Sequence, residues 1–244
     1  MKDQNRYMVT HSLLSSWLYT LKDNPRSDRD HMAEFMKTLR REPIDTTEAM
    51  QKGRDFEALV TDILEGRDYP SSNWECAGRA VATAIRGAKL QVRASKTVEV
   101  DGMQVFLYGR LDALKQGIIY DIKYTSNYDA GKYRESTQHP MYFALVPGAV
   151  AFEYLISNGT NVWPERYTRD ETPDIIPTIR DFFEWLRTQG LMDTYKEHWK
   201  VVEKRMDEIK DLSYVSVQTD DIIMGISDEV MNRVREVKKE RDNE

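Results

Sequence analysis

The segment from Leu90 to Tyr124 leaves the chain few choices. It reads as three extended runs, "LQVRASKTVEV", "MQVFLYGRLDAL" and "IIYDIKY", joined at Asp101-Gly102 and Gln116-Gly117. Asp-Gly between alternating runs is a hairpin signal. If Gln116-Gly117 is a two-residue turn, Lys115 pairs with Ile118. Asp112 then lies opposite Asp121, and Arg110 opposite Lys123. Residues so placed are about 4.5–5.5 Å apart at Cβ, and like charges there are destabilising. A divalent cation between them is one remedy, since hard cations take oxygen ligands. Lys123 is two residues beyond Asp121 and is expected on the same face. The other reading is a solvent-exposed strand face with an ordinary Asp–Lys pair.

Helical patterns surround this β region. "SLLSSWLYTL" is helix-like, "NPRSDR" breaks it, and "DHMAEFMKTLRRE" resumes with a cap at Asp28 or Asp30. Thr46 or Thr47 caps "EAMQKGRDFEALVTDILEG", and "CAGRAVATAIRGA" forms another helix. After the β region, "TQHPMYFAL" is a short helix stopped by Pro147-Gly148. "AVAFEYLIS" and "VWPERYT" flank Asn158-Gly159 as a further hairpin. Two amphipathic helices follow near Thr178–Gln189 and Leu191–Asp211, then a strand-like piece and a final helix capped by Ser227. The expected fold class is mixed α/β with helical additions at both ends.

Two helices carry polar residues in awkward places. Glu57 falls inside the stripe Gly53, Phe56, Val60, Ile63, Leu64, where a carboxylate wants a partner or snorkels to water. Gly53 costs about 1 kcal/mol in mid-helix and suggests the close approach of a backbone or ligand. Gln138 and Tyr142 are four apart and share a face. They read as a pair that positions a phosphate or catalytic group, or as core residues with a satisfied hydroxyl.

Composition narrows the classes. With 244 residues and 40% apolar content, the chain can bury a sizeable core. Its one cysteine, Cys76, excludes an internal disulfide framework and cysteine-clustered zinc or iron–sulfur sites, and reads as a small buried apolar residue. A reducing, cytoplasmic setting follows. The start lacks a signal peptide's apolar run, and "YFALVPGAVAFEYLI" is too broken to span a bilayer. The net charge is −6, but Arg79–Arg134 holds ten Lys/Arg against five Asp/Glu, and Glu203–Glu244 holds eight against twelve. A basic middle on an acidic body fits a polyanion site, and an ordinary mixed surface almost as well.

Taken in order, Glu57, Asp112 in "GRLDAL", "DIK" (Asp121-Ile122-Lys123) and "QHPMY" (Gln138 to Tyr142) resemble the PD-(D/E)XK nucleases. The trailing Gln-x-x-x-Tyr and the Ser-Leu-rich "THSLLSSWLYTL" resemble the RecB-type branch, which includes phage-type exonucleases. The likeness spans about residues 10–200. Many members of that branch carry His where Glu57 stands, although a Glu also occurs.

The resemblance implies a restriction-endonuclease-like mixed sheet flanked by helices over residues 1–212, with 213–244 as an appendage. It implies a DNA exonuclease dependent on Mg²⁺ or Mn²⁺, the ion held by Asp112, Asp121 and the Ile122 carbonyl, with Glu57 holding a second ion or orienting water. Lys123 would position the attacking water, neutralise charge, or act as base. Gln138 and Tyr142 would hold the nucleic-acid backbone or buttress Lys123. Arg110, Lys132 and Arg134 read as phosphate contacts or solvated charges. The kinship also implies DNA as partner, a strand-annealing recombination protein and a homo-oligomer. Trp163, Trp185 and Trp199 are expected in packing before base stacking, His139 near the site without a role, and His11, His31 and His198 structural or exposed. The rival reading is a nucleic-acid-binding or assembly protein on a nuclease scaffold without catalysis.

Overall fold

The computed structural model describes residues 5–22 and 30–201, and these form a mixed α/β fold of six strands and seven helices. The elements in chain order are β1 (Arg6–Val9), α1 (His11–Thr20), α2 (His31–Leu39), α3 (Glu48–Glu65), α4 (Glu75–Ala84), β2 (Lys89–Val100) and β3 (Met103–Lys115). There follow β4 (Ile118–Tyr124), α5 (Gln138–Leu145), β5 (Ala151–Ser157), β6 (Val162–Thr168), α6 (Ile175–Thr188) and α7 (Met192–Trp199). The break at "NPRSDR", the alternative cap Asp28, the strand-like piece after Ser213, the capped helix at Ser227 and the appendage 213–244 lie outside the described residues. Among the described residues no helix is long and apolar enough to cross a membrane.

The turns behave as their chemistry dictates. Asp101-Gly102 and Gln116-Gly117 both have positive φ at each residue, and β2, β3 and β4 pair antiparallel through them. Thr47 caps α3 by accepting from the Met50 N–H, Asp30 caps α2, and Gly66 closes α3 in the left-handed region. The expected strand Ile118–Tyr124 and the expected strand Val162–Thr168 are found with those limits.

Three elements depart from the sequence expectation. α7 ends at Trp199 and not at Asp211, because Lys200 is extended and bridges to Tyr7. β1 is a strand where only helix was expected; it runs parallel to β3, Arg6 beside Gln104 through Val9 beside Leu107. Four residues are too few for a periodic signal. α6 starts at Ile175, not Thr178, because Asp174 caps it by accepting from the Ile176 N–H, so Pro177 falls in its first turn.

The sheet runs β1-β3-β4-β5-β6, with β2 along the other edge of β3. β5 runs parallel to β4 and antiparallel to β6. One face is covered by α3 and α4 through Phe56, Val60, Val81 and Ile85. The other carries α5 and the terminal helices, through Leu14, Trp17, Phe35, Phe182 and Tyr195. Trp199 Nε1 donates to the Leu39 carbonyl at 2.8 Å, and Tyr195 Oη to the Met8 carbonyl at 3.1 Å. These bonds tie α7 to α2 and β1. Trp185 packs on Phe35 and Trp17, and Trp163 on Tyr128, so all three tryptophans pack as expected.

Two local readings are corrected. Cys76 is exposed, because α4 turns it away from the apolar face formed by Ala77, Val81 and Ala82. Gly53 has nothing within 4 Å of where a Cβ would sit, so no protein backbone approaches it. Gly53→Ala is therefore expected to raise stability by about 0.5–1 kcal/mol, measured as the urea midpoint. An unchanged or lower midpoint would show that the glycine has a structural reason.

Candidate active site

The site lies where the regular alternation of the meander breaks. Leu111 belongs to the core on the α5 side and Ala113 to the core on the α3 side. Residues two apart on a regular strand share a face, so β3 turns over at Asp112. Its neighbour β2 does the same: Leu90 packs on the α3-side core and Val92 in the α5-side core. Between them Gln91 has φ 52°, an uncommon region for a non-glycine residue. Both ladders lapse here. The β2–β3 pairing passes over Gln91 and Asp112, and the β3–β4 pairing ends at Ala113 beside Tyr120. The expected cross-strand pairs Asp112–Asp121 and Arg110–Lys123 are thus not ladder pairs, because the two strands have already separated after Ala113.

The gap is closed by side chains. Ile122 N–H donates to Asp112 Oδ2 at 2.8 Å, so this carboxylate takes the place of a strand partner. Asp121 is 3% exposed. Gln138 Nε2 donates to its Oδ1, and Lys123 Nζ lies 2.7 Å from its Oδ2. The Lys123 contact is an ion pair at close range, yet no hydrogen bond is aligned on Oδ2. A buried Asp121 is therefore tolerated because an amine and an amide from two elements meet it.

Glu57 arrives from α3, half-buried. Burial first, and then the charge of Asp121, raise its pKa above its usual value. Burial and the Asp121 charge push Asp112 up to about 8. Burial pulls Lys123 down, but Asp121 outweighs it and the net shift is upward. Lys123 is thus held as an ammonium here, which disfavours the base role. A cleft of about 280 Å³ brings together Glu57, Arg110, Asp112, Ile122 and Gln91. Lys123 and Gln138 instead line a groove of about 760 Å³, with His11, Tyr19, Lys22, Lys132, Tyr133 and Arg134. Lys132 and Arg134 are exposed at this groove, but Arg110 stands at the other cleft.

Oxygen donors and excess negative charge suit a hard divalent cation. The Asp121 Oδ2 already has the Lys123 ammonium as countercharge but receives no aligned hydrogen bond, which leaves it a lone pair to offer. As they stand, no three His, Cys, Asp or Glu side chains among the described residues are placed to hold one ion. The expected ligands have suitable oxygen chemistry but are not gathered: Glu57, Asp112 and Ile122 share a cleft, while Asp121 is turned to Lys123 and Gln138.

Gln138 and Tyr142 divide their work. Gln138 holds Asp121. Tyr142 is buried, and its hydroxyl donates to the Arg110 carbonyl at 2.8 Å. Its ring lies against Gly109, where a Cβ would come within 2.2 Å of Tyr142 Cε1. The glycine of "GRLDAL" and the tyrosine of "QHPMY" are thus one packing unit. Tyr142 buttresses β3, with its hydroxyl spent on the Arg110 carbonyl.

His139, left without a role by the sequence, stacks on Tyr167 with ring centroids 4.3 Å apart, and its Nδ1 is 3.2 Å from Tyr154 Oη. Burial lowers its pKa to about 4. His11 is held neutral too, lowered to about 3 by burial and then by Lys123. The sequence reading passed over Gln91 and Glu165. Glu165 alternates with Trp163 and Tyr167 on one face of β6, and a carboxylate in a line of aromatics was the available signal.

No family model and no curated protein matches the chain. Among solved structures, the crystal structure of SSO0001 is similar over 78% of this chain and 78% of its own, at 14% identity and a TM-score of 0.43. So loose a likeness carries no weight, and the functional reading rests on the residues.

Proposed function

We propose that this protein is a metal-dependent DNA nuclease, an exonuclease that hydrolyses phosphodiester bonds in DNA repair, recombination or phage DNA processing. One observation carries the reading: buried Asp121, braced by Lys123 and Gln138, lies beside a gap in the sheet where Asp112 and Glu57 also feel its charge. Clusters of perturbed acids and an amine at a break in regular structure are what phosphoryl chemistry requires and what packing alone avoids.

Asp112, Asp121, the Ile122 carbonyl and Glu57 would hold Mg²⁺ or Mn²⁺. When bound, the ion supplies Lewis acidity toward the scissile phosphate. Lys123, kept charged by Asp121, neutralises charge developing on the phosphate oxygens. Gln138 fixes the Asp121 carboxylate, and Tyr142 fixes the strand that bears Asp112. Lys132 and Arg134 draw the phosphate backbone toward Lys123. Water adds to phosphorus, and the bond from phosphorus to the departing sugar oxygen breaks.

Linear DNA incubated with Mg²⁺ or Mn²⁺ should be degraded by the wild type. Lys123→Ala and Asp121→Asn should each lose on the order of 10²–10³-fold in rate. Equal degradation by wild type and variants, or none by any, refutes the proposal. The scaffold reading, DNA binding without catalysis, draws support from the absence of a three-acid ligand set among the described residues. Calorimetry with Mn²⁺ separates the two, since only the nuclease binds the ion and loses it in Asp121→Asn.

A further inference from the structure

Asp121, Tyr154 and Glu165 form one row across the sheet. Asp121 on β4 is registered with Tyr154 on β5, and Tyr154 with Glu165 on β6. Side chains in such a row share a face. Glu165 is 9% exposed and has no cation paired with it among the described residues. Four donors meet its carboxylate instead. Tyr128 Oη donates at 2.7 Å, Gly131 N–H at 3.2 Å and Tyr133 N–H at 3.0 Å, and Tyr167 Oη also donates to it. Three of the four come from the segment between β4 and α5.

That segment is also pinned at its ends, where Thr125 N–H donates to the Ser157 carbonyl at 2.8 Å and Thr137 Oγ1 to the His11 carbonyl at 3.0 Å. Lys132 Nζ donates to Thr125 Oγ1 at 2.9 Å and to the Asn127 carbonyl at 3.0 Å, and Glu165 meets the segment's middle. Residues 125–137 contain no strand and no long helix, yet they carry Lys132, Tyr133 and Arg134 into the groove beside Lys123. The Tyr133 ring stacks on Tyr154 at 4.6 Å and 19°, and Lys123 Nζ lies 5.9 Å from the Tyr154 ring centroid. The row therefore runs from Glu165, through the Tyr133 backbone and ring, to the ring that borders the ammonium.

We infer that Glu165 is a positioning residue: its carboxylate fixes the 125–136 segment and so sets Lys132 and Arg134 as the phosphate-binding wall of the groove. The phosphate-binding half rests on the nuclease reading; the segment-fixing half does not. Burial raises the carboxyl's pKa, but the two hydroxyls and two amides outweigh it and the net shift is downward, so the anion is the form held. A carboxylate suits the task because it accepts from all four donors at once, which a carboxamide cannot.

The test compares Glu165→Gln, Tyr128→Phe and a Lys132→Ala/Arg134→Ala double variant with wild type. Tyr128→Phe removes one donor and leaves the anion paired, so it folds even if Glu165→Gln is impaired. Amide hydrogen exchange without DNA should show Gly131 and Tyr133 losing protection about tenfold or more in Glu165→Gln, less in Tyr128→Phe, while β4 and β5 amides are unchanged. Protection retained at Gly131 and Tyr133 overturns the inference whatever the protein does to DNA.

The second arm measures binding of a single-stranded oligonucleotide in Ca²⁺ against salt. Each lost phosphate contact lowers the slope of log K on log salt by about 0.7, so two contacts remove about 1.4. Glu165→Gln should lose the same slope as the double variant, and combining the two should lose no more. A weakened affinity with the wild-type slope would make Glu165 merely structural and overturn the phosphate half. If wild type binds no oligonucleotide, the nuclease reading and the phosphate half fall together, and the exchange result alone then judges the segment-fixing half.

Discussion

Gly109→Ala is expected to destabilise the protein by about 3 kcal/mol, the upper end for overpacking a well-filled core. An added Cβ would come within 2.2 Å of Tyr142 Cε1 and 3.0 Å of Leu145 Cδ1, and neither can yield easily. Tyr142 is 2% exposed and anchored by its bond to the Arg110 carbonyl, and Leu145 is 5% exposed. For a domain of this size the melting temperature should fall by roughly 6–12 °C. Tyr142→Ala alone should cost about 3–5 kcal/mol through the cavity it leaves. In the double variant the alanine at 109 should add only about 1 kcal/mol, because the clashing ring is gone and the Leu145 contact remains, giving a coupling of about 2 kcal/mol. Simple addition of the two costs would show that the glycine is needed for a reason other than this ring.

Asp112→Asn is expected to make the metal-free protein more stable at pH 8 while removing the proposed nuclease activity. The folded protein raises the Asp112 carboxyl to about 8, from 3.8, through burial and then Asp121. A raised pKa means the folded state keeps a proton that the unfolded chain releases. Stability from this group is complete below about pH 4 and is lost as pH rises toward 8. Asparagine does not ionise and still accepts from the Ile122 N–H. Its advantage over wild type, measured by melting in EDTA, should be near zero at pH 4 and about 2 kcal/mol at pH 8. An advantage that shrinks with rising pH would refute the assignment. Mn²⁺ at a hundredfold above its dissociation constant should return about 2.7 kcal/mol to wild type, and much less to the variant. The exchange of stability for activity is what a charged site in a packed fold predicts.

Much of this arrangement was legible in the residues. The turn chemistry of Asp101-Gly102 and Gln116-Gly117 set the meander, and the caps at Asp30 and Thr47 set two helices. The spacing of Asp121 and Lys123 put them on one face, where they form an ion pair. The register from Lys115 and Ile118 held for three pairs. It failed at Asp112, since a strand's period of two is a local rule and the turnover there is imposed by β2 and α3 packing against it. The same reason hid Glu165, whose four donors come from residues 2 to 37 positions away.

Local pattern could say which residues were polar on apolar faces, because burying charge without a partner is costly and each such residue stands out on its own segment. It could not say what would meet them. Gln138 reaching Asp121, Ile122 N–H closing onto Asp112, and Tyr142 seated on Gly109 are contacts between different elements. Such contacts depend on how α5, β3 and β4 pack in space, which no window of sequence encodes by itself.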